Sequence, residues 1–213
     1  MASEQVNPIA DPSQPGEVRA APRVTLLLRL GKLVVDGAEY PCVLRDVSQS
    51  GIKVRLFRAL RAGSVYELEL GHGARFALAP VWQRDGEAGF RFCDAPVDLV
   101  RIVEEHGSLP RRQLRLRLAR PIPIGLVAGK TTLPGLLHDL SQHGARVETG
   151  PGLALRQAIS IELPGMAPIL ARLRWRRLPE HGLVFDHGFQ LAELAALIDH
   201  LHKPARLSPA AAR

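Results

Sequence analysis

The chain has 213 residues, 46% of them hydrophobic and 23% charged, with a formal net charge of +7. That length suits one large domain or two compact ones, and the composition excludes a disordered or fibrous protein. Two cysteines, Cys42 and Cys93, without Cys-x-x-Cys spacing exclude a disulfide framework, a cysteine zinc site and a redox pair, and fit a reducing cytoplasm.

Residues 1–16 contain Pro8, Pro12 and Pro15 but no apolar core behind a basic start, which predicts a disordered tail and no secretory signal. Short apolar or alternating runs follow at Val24–Val35, Tyr40–Val47, Gly51–Leu56, Val65–Leu70, Ala74–Gln83 and Gly89–Phe92, divided by Gly, Asp and Pro. Their lengths predict strands. In the fourth run, Val65, Leu68 and Leu70 are expected on the buried face, with Glu67 and Glu69 opposite. Arg29 and Lys32 interrupt the longest run, so nothing reaches the ~20 apolar residues of a membrane-spanning helix. Leu99, Ile102 and Val103 predict a short helix.

The same series then repeats: runs near Leu116–Val127, Leu133–Leu140, Ala145–Glu148, Ala158–Leu163, Ile169–Arg176 and Leu183–Asp186. A helix is predicted from Leu191, Leu194, Leu197, Ile198 and Leu201. Arg45–Gly51 (RDVSQSG) recurs as His138–Gly144 (HDLSQHG) at an offset of 93 residues, as do Trp82 with Trp175 and Gly89 with Gly182. Arg19-x-x-x-Arg23 recurs as Arg111-x-x-x-Arg115 at an offset of 92, so one residue is gained before the Asp motif. A pattern fixing only Asp, Ser and Gly arises by chance at roughly two starting positions in ten thousand, and shared register of several landmarks makes this a tandem duplication. The domains are expected at residues 17–106 and 107–202, with 203–213 a second disordered tail. Six short strands and one helix per copy predict a mainly β fold: two six-stranded antiparallel barrels, each followed by a C-terminal helix.

The charge is uneven: residues 1–16 carry −2, 17–106 carry +1 and 107–213 carry +8. Arginines concentrate at 111–120 and 172–177, which attracts a polyanion, whether nucleic acid, anionic lipid or a phosphorylated small molecule. Only 5% of residues are aromatic, which argues against single-stranded nucleic acid.

The repeated Asp46, Ser48 and Gly51, and Asp139, Ser141 and Gly144, admit two readings. As turn chemistry, Asp and Ser bond nearby backbone N–H groups and Gly takes positive φ. As a site, the carboxylate and hydroxyl accept hydrogen bonds from a ligand while glycine leaves space for a flat ring. The arginine pairs favour the site, because guanidinium forks bind phosphate or the O6/N7 edge of guanine.

Arg-x-x-x-Arg, then Asp-x-Ser-x-x-Gly, a Trp strand and a Gly-apolar-x-Phe strand together resemble the PilZ family of cyclic di-GMP receptors, twice over and across nearly the whole chain. The resemblance implies a six-stranded barrel with a C-terminal helix, a cytoplasmic, non-enzymatic protein and binding of cyclic di-GMP. Carried over by position, the ligand residues are Arg19, Arg23, Asp46, Ser48 and Gly51 in the first copy. In the second they are Arg111, Arg115, Asp139, Ser141 and Gly144. The second is expected to bind more strongly, since Arg112, Arg117 and Arg120 add positive potential. The arginine segment is also the interdomain linker, so ligand binding is expected to re-aim the barrels and signal to a protein partner. The alternative is a PilZ-like scaffold without nucleotide binding.

Other signals are weaker. Gly129-Lys130-Thr131 lacks the glycine spacing of a P-loop. His138, Asp139, Ser141 and His143 share one segment but no nucleophile elbow, so no hydrolase is expected. His181, His187 and His200 lack metal-ligand spacing. Trp82 and Trp175 are expected in the barrel core or at its edge.

Overall fold

The computed structural model describes residues 24–60, 62–103, 114–163 and 165–203. Arg19, Arg23, Arg111 and Arg112, and the tails expected at 1–16 and beyond Lys203, lie outside the described residues. The first unit consists of β1 (Val24–Val35), β2 (Ala38–Val47), β3 (Gly51–Leu56), β4 (Tyr66–Leu70), β5 (Arg75–Arg84), β6 (Glu87–Phe92) and a single helical turn, α1 (Val100–Val103). The second consists of β7 (Arg115–Ala128), β8 (Thr131–Ser141), β9 (Gly144–Thr149), β10 (Ala158–Glu162), β11 (Ile169–Arg177), β12 (Glu180–Phe185) and α2 (Leu191–His202).

Both units close into antiparallel barrels with the same strand order. The first runs β1-β2-β3-β6-β5-β4 and is sealed by β4 against β1; the second runs β7-β8-β9-β12-β11-β10 and is sealed by β10 against β7. Closure of so few strands needs sharp bending, which bulges supply. Register shifts recur at equivalent places in the two barrels: Leu44/Asp46 and Leu137/Asp139, Pro80/Trp82 and Leu173/Trp175, Thr25/Arg29 and Arg117/Ile122. The last pair locates the residue gained between the copies. Three residues bridge Thr25 and Arg29, whereas four bridge Arg117 and Ile122, so the change in offset is absorbed where the long strand already leaves its ladder.

Alternation fills each interior. Leu33, Leu44, Val47, Val54, Leu68 and Phe92 are core residues of the first barrel, and Leu116, Leu126, Leu137, Val147, Ile161 and Leu173 of the second. Each fully buried aliphatic side chain contributes about 1.5–3 kcal/mol relative to exposure. Leu194, Leu197, Ile198 and Leu201 bury one face of α2 against the second barrel. The helix start is secured by the Gln190 N–H donating to Glu193 Oε2 at 2.7 Å.

The fourth strand departs from expectation. Tyr66 takes the inward place and Val65 is 57% exposed, because the strand begins one residue later than the apolar run. Tyr66 tolerates burial because its hydroxyl accepts the Gly63 N–H at 2.8 Å. Glu69, expected outside, is buried beside Lys32. The barrels meet through β2 and β7, through Arg58 facing Asp199 at 3.7 Å, and through the Tyr40 ring set edge-on to His202. No helix among the described residues is long and apolar enough to cross a membrane.

Candidate functional site

The repeated Asp-x-Ser-x-x-Gly motifs form the β2–β3 and β8–β9 hairpins. Here both serines bond locally within the turn, Ser48 to a backbone N–H as the turn reading has it and Ser141 to a carbonyl. The Ser48 hydroxyl accepts the Gly51 N–H at 3.2 Å, and the Ser141 hydroxyl donates to the Gly144 carbonyl at 3.2 Å. The glycines follow neither reading. Neither has positive φ, and a Cβ would meet a backbone carbonyl of the adjacent strand: 2.5 Å from Phe90 O at Gly51, and 2.2 Å from Leu183 O at Gly144. The space left by each glycine is occupied by β6 or β12, not kept open for a ring.

The aspartates behave differently from both readings as well. Asp139 is only 3% exposed, and each of its oxygens meets a guanidinium. Arg115 Nη1 donates to Oδ1 at 2.6 Å, and Arg146 Nε donates to Oδ2 at 2.6 Å. Arg146 continues through Nη1 to Glu180. The bulge at Leu137/Asp139 sets this residue out of simple alternation. In the first barrel, Asp46 meets Lys53 Nζ at 2.9 Å and accepts the Thr25 hydroxyl at 3.1 Å, and Lys53 reaches Glu87 at 3.5 Å. The hydrogen bond that Lys53 donates to Asp46 holds its ammonium above its usual pKa, and the one that Arg146 donates to Asp139 does the same for its guanidinium. Charge-assisted bonds of this kind contribute about 1.5–3 kcal/mol each, less where the cation is solvent-exposed.

The structure therefore joins Arg115 of the arginine motif to Asp139 of the hairpin motif. Their strands have equivalent registers in the two copies: Leu116 pairs with Leu140, and Val24 with Val47. Arg115 remains about half exposed and uses one nitrogen on Asp139. At that exposure the side chain stays within reach of an anion. The sequence reading missed Lys53 with Arg146 and Glu87 with Glu180. Both pairs keep the offset of 93 and were open to detection by it.

The tip of the second hairpin is tied to the approach to α2. Gln142 O accepts the Phe189 N–H at 2.8 Å, and His143 O accepts the Phe185 N–H at 2.9 Å. His138 pairs with Glu148 at 3.1 Å rather than with Ser141. Arg117, expected to add potential to the site, turns instead to Glu39 of the first barrel at 3.4 Å. Trp175 is 40% exposed and lies outside the core, its indole over Gly182, while half-buried Trp82 lies over Gly89. Along β11, Arg172 pairs with Asp186 at 3.2 Å and Arg176 donates to Leu153 O. No group of three His, Cys, Asp or Glu residues suited to a metal ion occurs among the described residues.

The PilZ domain model matches the chain twice, over residues 17–106 and 110–203. Among solved structures, Borreliella burgdorferi PlzA in complex with c-di-GMP is 12% identical, with 83% of this chain and 88% of that chain covered and a TM-score of 0.35. The K. pneumonia MrkH–c-di-GMP complex is 14% identical, covering 81% and 87%, with a TM-score of 0.34. Escherichia coli YcgR in complex with c-di-GMP is 16% identical, covering 82% and 84%, with a TM-score of 0.30. No curated protein matches the chain. With two closed six-stranded barrels and a family match over each copy, the chain belongs to the PilZ domain family as a tandem member.

Proposed function

We propose that this protein is a cytoplasmic, non-enzymatic receptor for cyclic di-GMP that re-aims its two barrels on binding and thereby signals to a protein partner. The observation that carries the reading is the 2.6 Å contact that unites Arg115 of the arginine motif with Asp139 of the hairpin motif. The residues assigned to the ligand are Arg19, Arg23, Asp46, Ser48 and Gly51 in the first barrel and Arg111, Arg115, Asp139, Ser141 and Gly144 in the second.

The geometry supports a division of labour among them. Arg115 presents its unused N–H groups to a phosphate or to guanine O6 and N7. Asp139, paired through both oxygens, aims Arg115 and Arg146. Ser141 and Gly144 hold the hairpin against β12 so that this aim is fixed. The +8 charge of residues 107–213 draws a dianion toward it. Calorimetry with cyclic di-GMP tests the assignment: wild type binds, and Arg115→Ala loses more affinity than Arg23→Ala. Absence of heat from wild type removes the receptor reading. Small-angle scattering with saturating ligand tests the rearrangement, and an unchanged envelope counts against it.

The scaffold reading draws on one observation, the near-complete enclosure of Asp139 by its own arginines. It predicts a protein partner retained by the chain and no nucleotide bound at any concentration tested.

A further inference from the structure

The hairpin site leaves unexplained a run of charges in the first barrel, of which Lys32, Glu39 and Glu69 are buried. Lys32 in β1 reaches Glu69 Oε1 at 2.7 Å and Glu39 Oε2 at 3.0 Å, and Glu69 Oε2 accepts from Arg75 Nη2 at 2.6 Å. Removing such ions from water costs several kcal/mol each before pairing, and apolar residues of similar volume fill the same space without that cost. Among the described residues, Glu39 is also the member of this run that reaches across to the second barrel. Its side chain is 5% exposed, its Oε2 accepts the backbone N–H of Arg117 at 2.8 Å, and its Oε1 lies 3.4 Å from Arg117 Nε.

Arg117 is not a neutral anchor point. It stands opposite Asp139 in the β7–β8 ladder, two residues after Arg115 on the same strand, and it opens the bulge through which β7 leaves that ladder. Past Arg117 the ladder resumes only at Ile122, so backbone drift at this point displaces Arg115 relative to Asp139. A carboxylate bonded to both the N–H and the guanidinium of Arg117 removes that freedom. Lys32 Nζ, 3.0 Å from Oε2, in turn holds the carboxylate in place.

We infer that Glu39 is a positioning residue for the nucleotide site of the second barrel: a first-barrel side chain, remote from the hairpin on its own strand, that sets the aim of Arg115 through the backbone at Arg117. The inference rests on the receptor reading. It makes affinity at the second site depend on a residue of the first barrel, and by reciprocity makes ligand binding tighten the Glu39–Arg117 bond.

The test is calorimetry with cyclic di-GMP on the full chain carrying Arg23→Ala, so that the second barrel is read alone. Glu39→Gln is expected to weaken binding about tenfold, a change of about 1.4 kcal/mol. In a chain that also carries Arg115→Lys, the same substitution is expected to cost less than twofold, because the group it aims is already compromised. Equal losses in both backgrounds, or no loss in the first, overturn the inference while the receptor reading stands. Absence of binding by the wild type overturns both. Hydrogen exchange on the wild type needs no variant: saturating ligand is expected to slow exchange of the Arg117 amide, and an unchanged rate overturns the inference.

Discussion

Gly144 and Gly51 show how a single missing side chain is dictated by a strand far away in sequence. Adding a Cβ at Gly144 drives it into Leu183 O, a backbone atom that cannot swing aside. Gly144→Ala is therefore expected to destabilise by about 1–3 kcal/mol. Gly150→Ala, with nothing within 4 Å, should fall within about 0.5 kcal/mol of wild type. Equal urea midpoints for the two variants would remove the close-approach explanation. The cysteines give a second test at this scale. Burial pushes the Cys42 thiol up to about 12, whereas Cys93 is exposed. A thiol reagent at neutral pH should modify Cys93 in the native protein and reach Cys42 only on unfolding; rapid reaction of both contradicts the packing of β2. The importance of Asp, Ser and Gly was legible from their repetition, but the reason for the glycine was not. Its constraint comes from β12, some 40 residues on, and short motifs carry no trace of such a neighbour.

At the level of elements, apolar runs located the strands of both barrels, because buried faces need apolar residues whatever the topology. They misplaced Val65 and Tyr66, since an aromatic with a polar tip can face inward when its hydroxyl finds a donor. They also placed Glu69 outside, since its partners Lys32 and Arg75 come from two other strands. Burial pushes the Glu69 carboxyl up, but Lys32 and Arg75 outweigh it and hold the group below its ordinary value of 4.5. A carboxyl depressed in the folded state stabilises above its unfolded pKa, and that contribution is lost as pH falls through the lower folded value. Wild type should therefore lose stability more steeply than Glu69→Gln on acidification below about 4.5. Parallel denaturation curves for the two across that range would discount the pair. On α2, Leu194→Ala removes a fully buried side chain and should cost about 2–5 kcal/mol by thermal or urea melting.

Over the whole molecule, duplication was the most readable property and the interface between copies the least. Offsets along the chain reveal that two barrels exist. The contact of Glu39 with Arg117 depends on how they dock, and neither residue belongs to a repeated motif. The charge imbalance bears on selectivity at this scale. Contacts made only by a basic surface to duplex DNA release many counterions, so such binding should fade steeply as salt rises. Cyclic di-GMP, with two phosphates, should retain most of its affinity over the same range. Competition by duplex DNA that persists at high salt would point to nucleic acid as a specific partner.

Each barrel is sealed over a short stretch, residues 31–35 of β1 against β4 and residues 125–127 of β7 against β10, and this limits how anything can attach there. Along those closures an extended peptide finds no rim to zip onto, and the earlier parts of β1 and β7 lie outside them. What docks on the sealed wall reads side chains there, such as the exposed Leu170, Arg174 and Val184. Those positions can change one at a time without disturbing the interior, so recognition is free to diverge among relatives while the scaffold stays put.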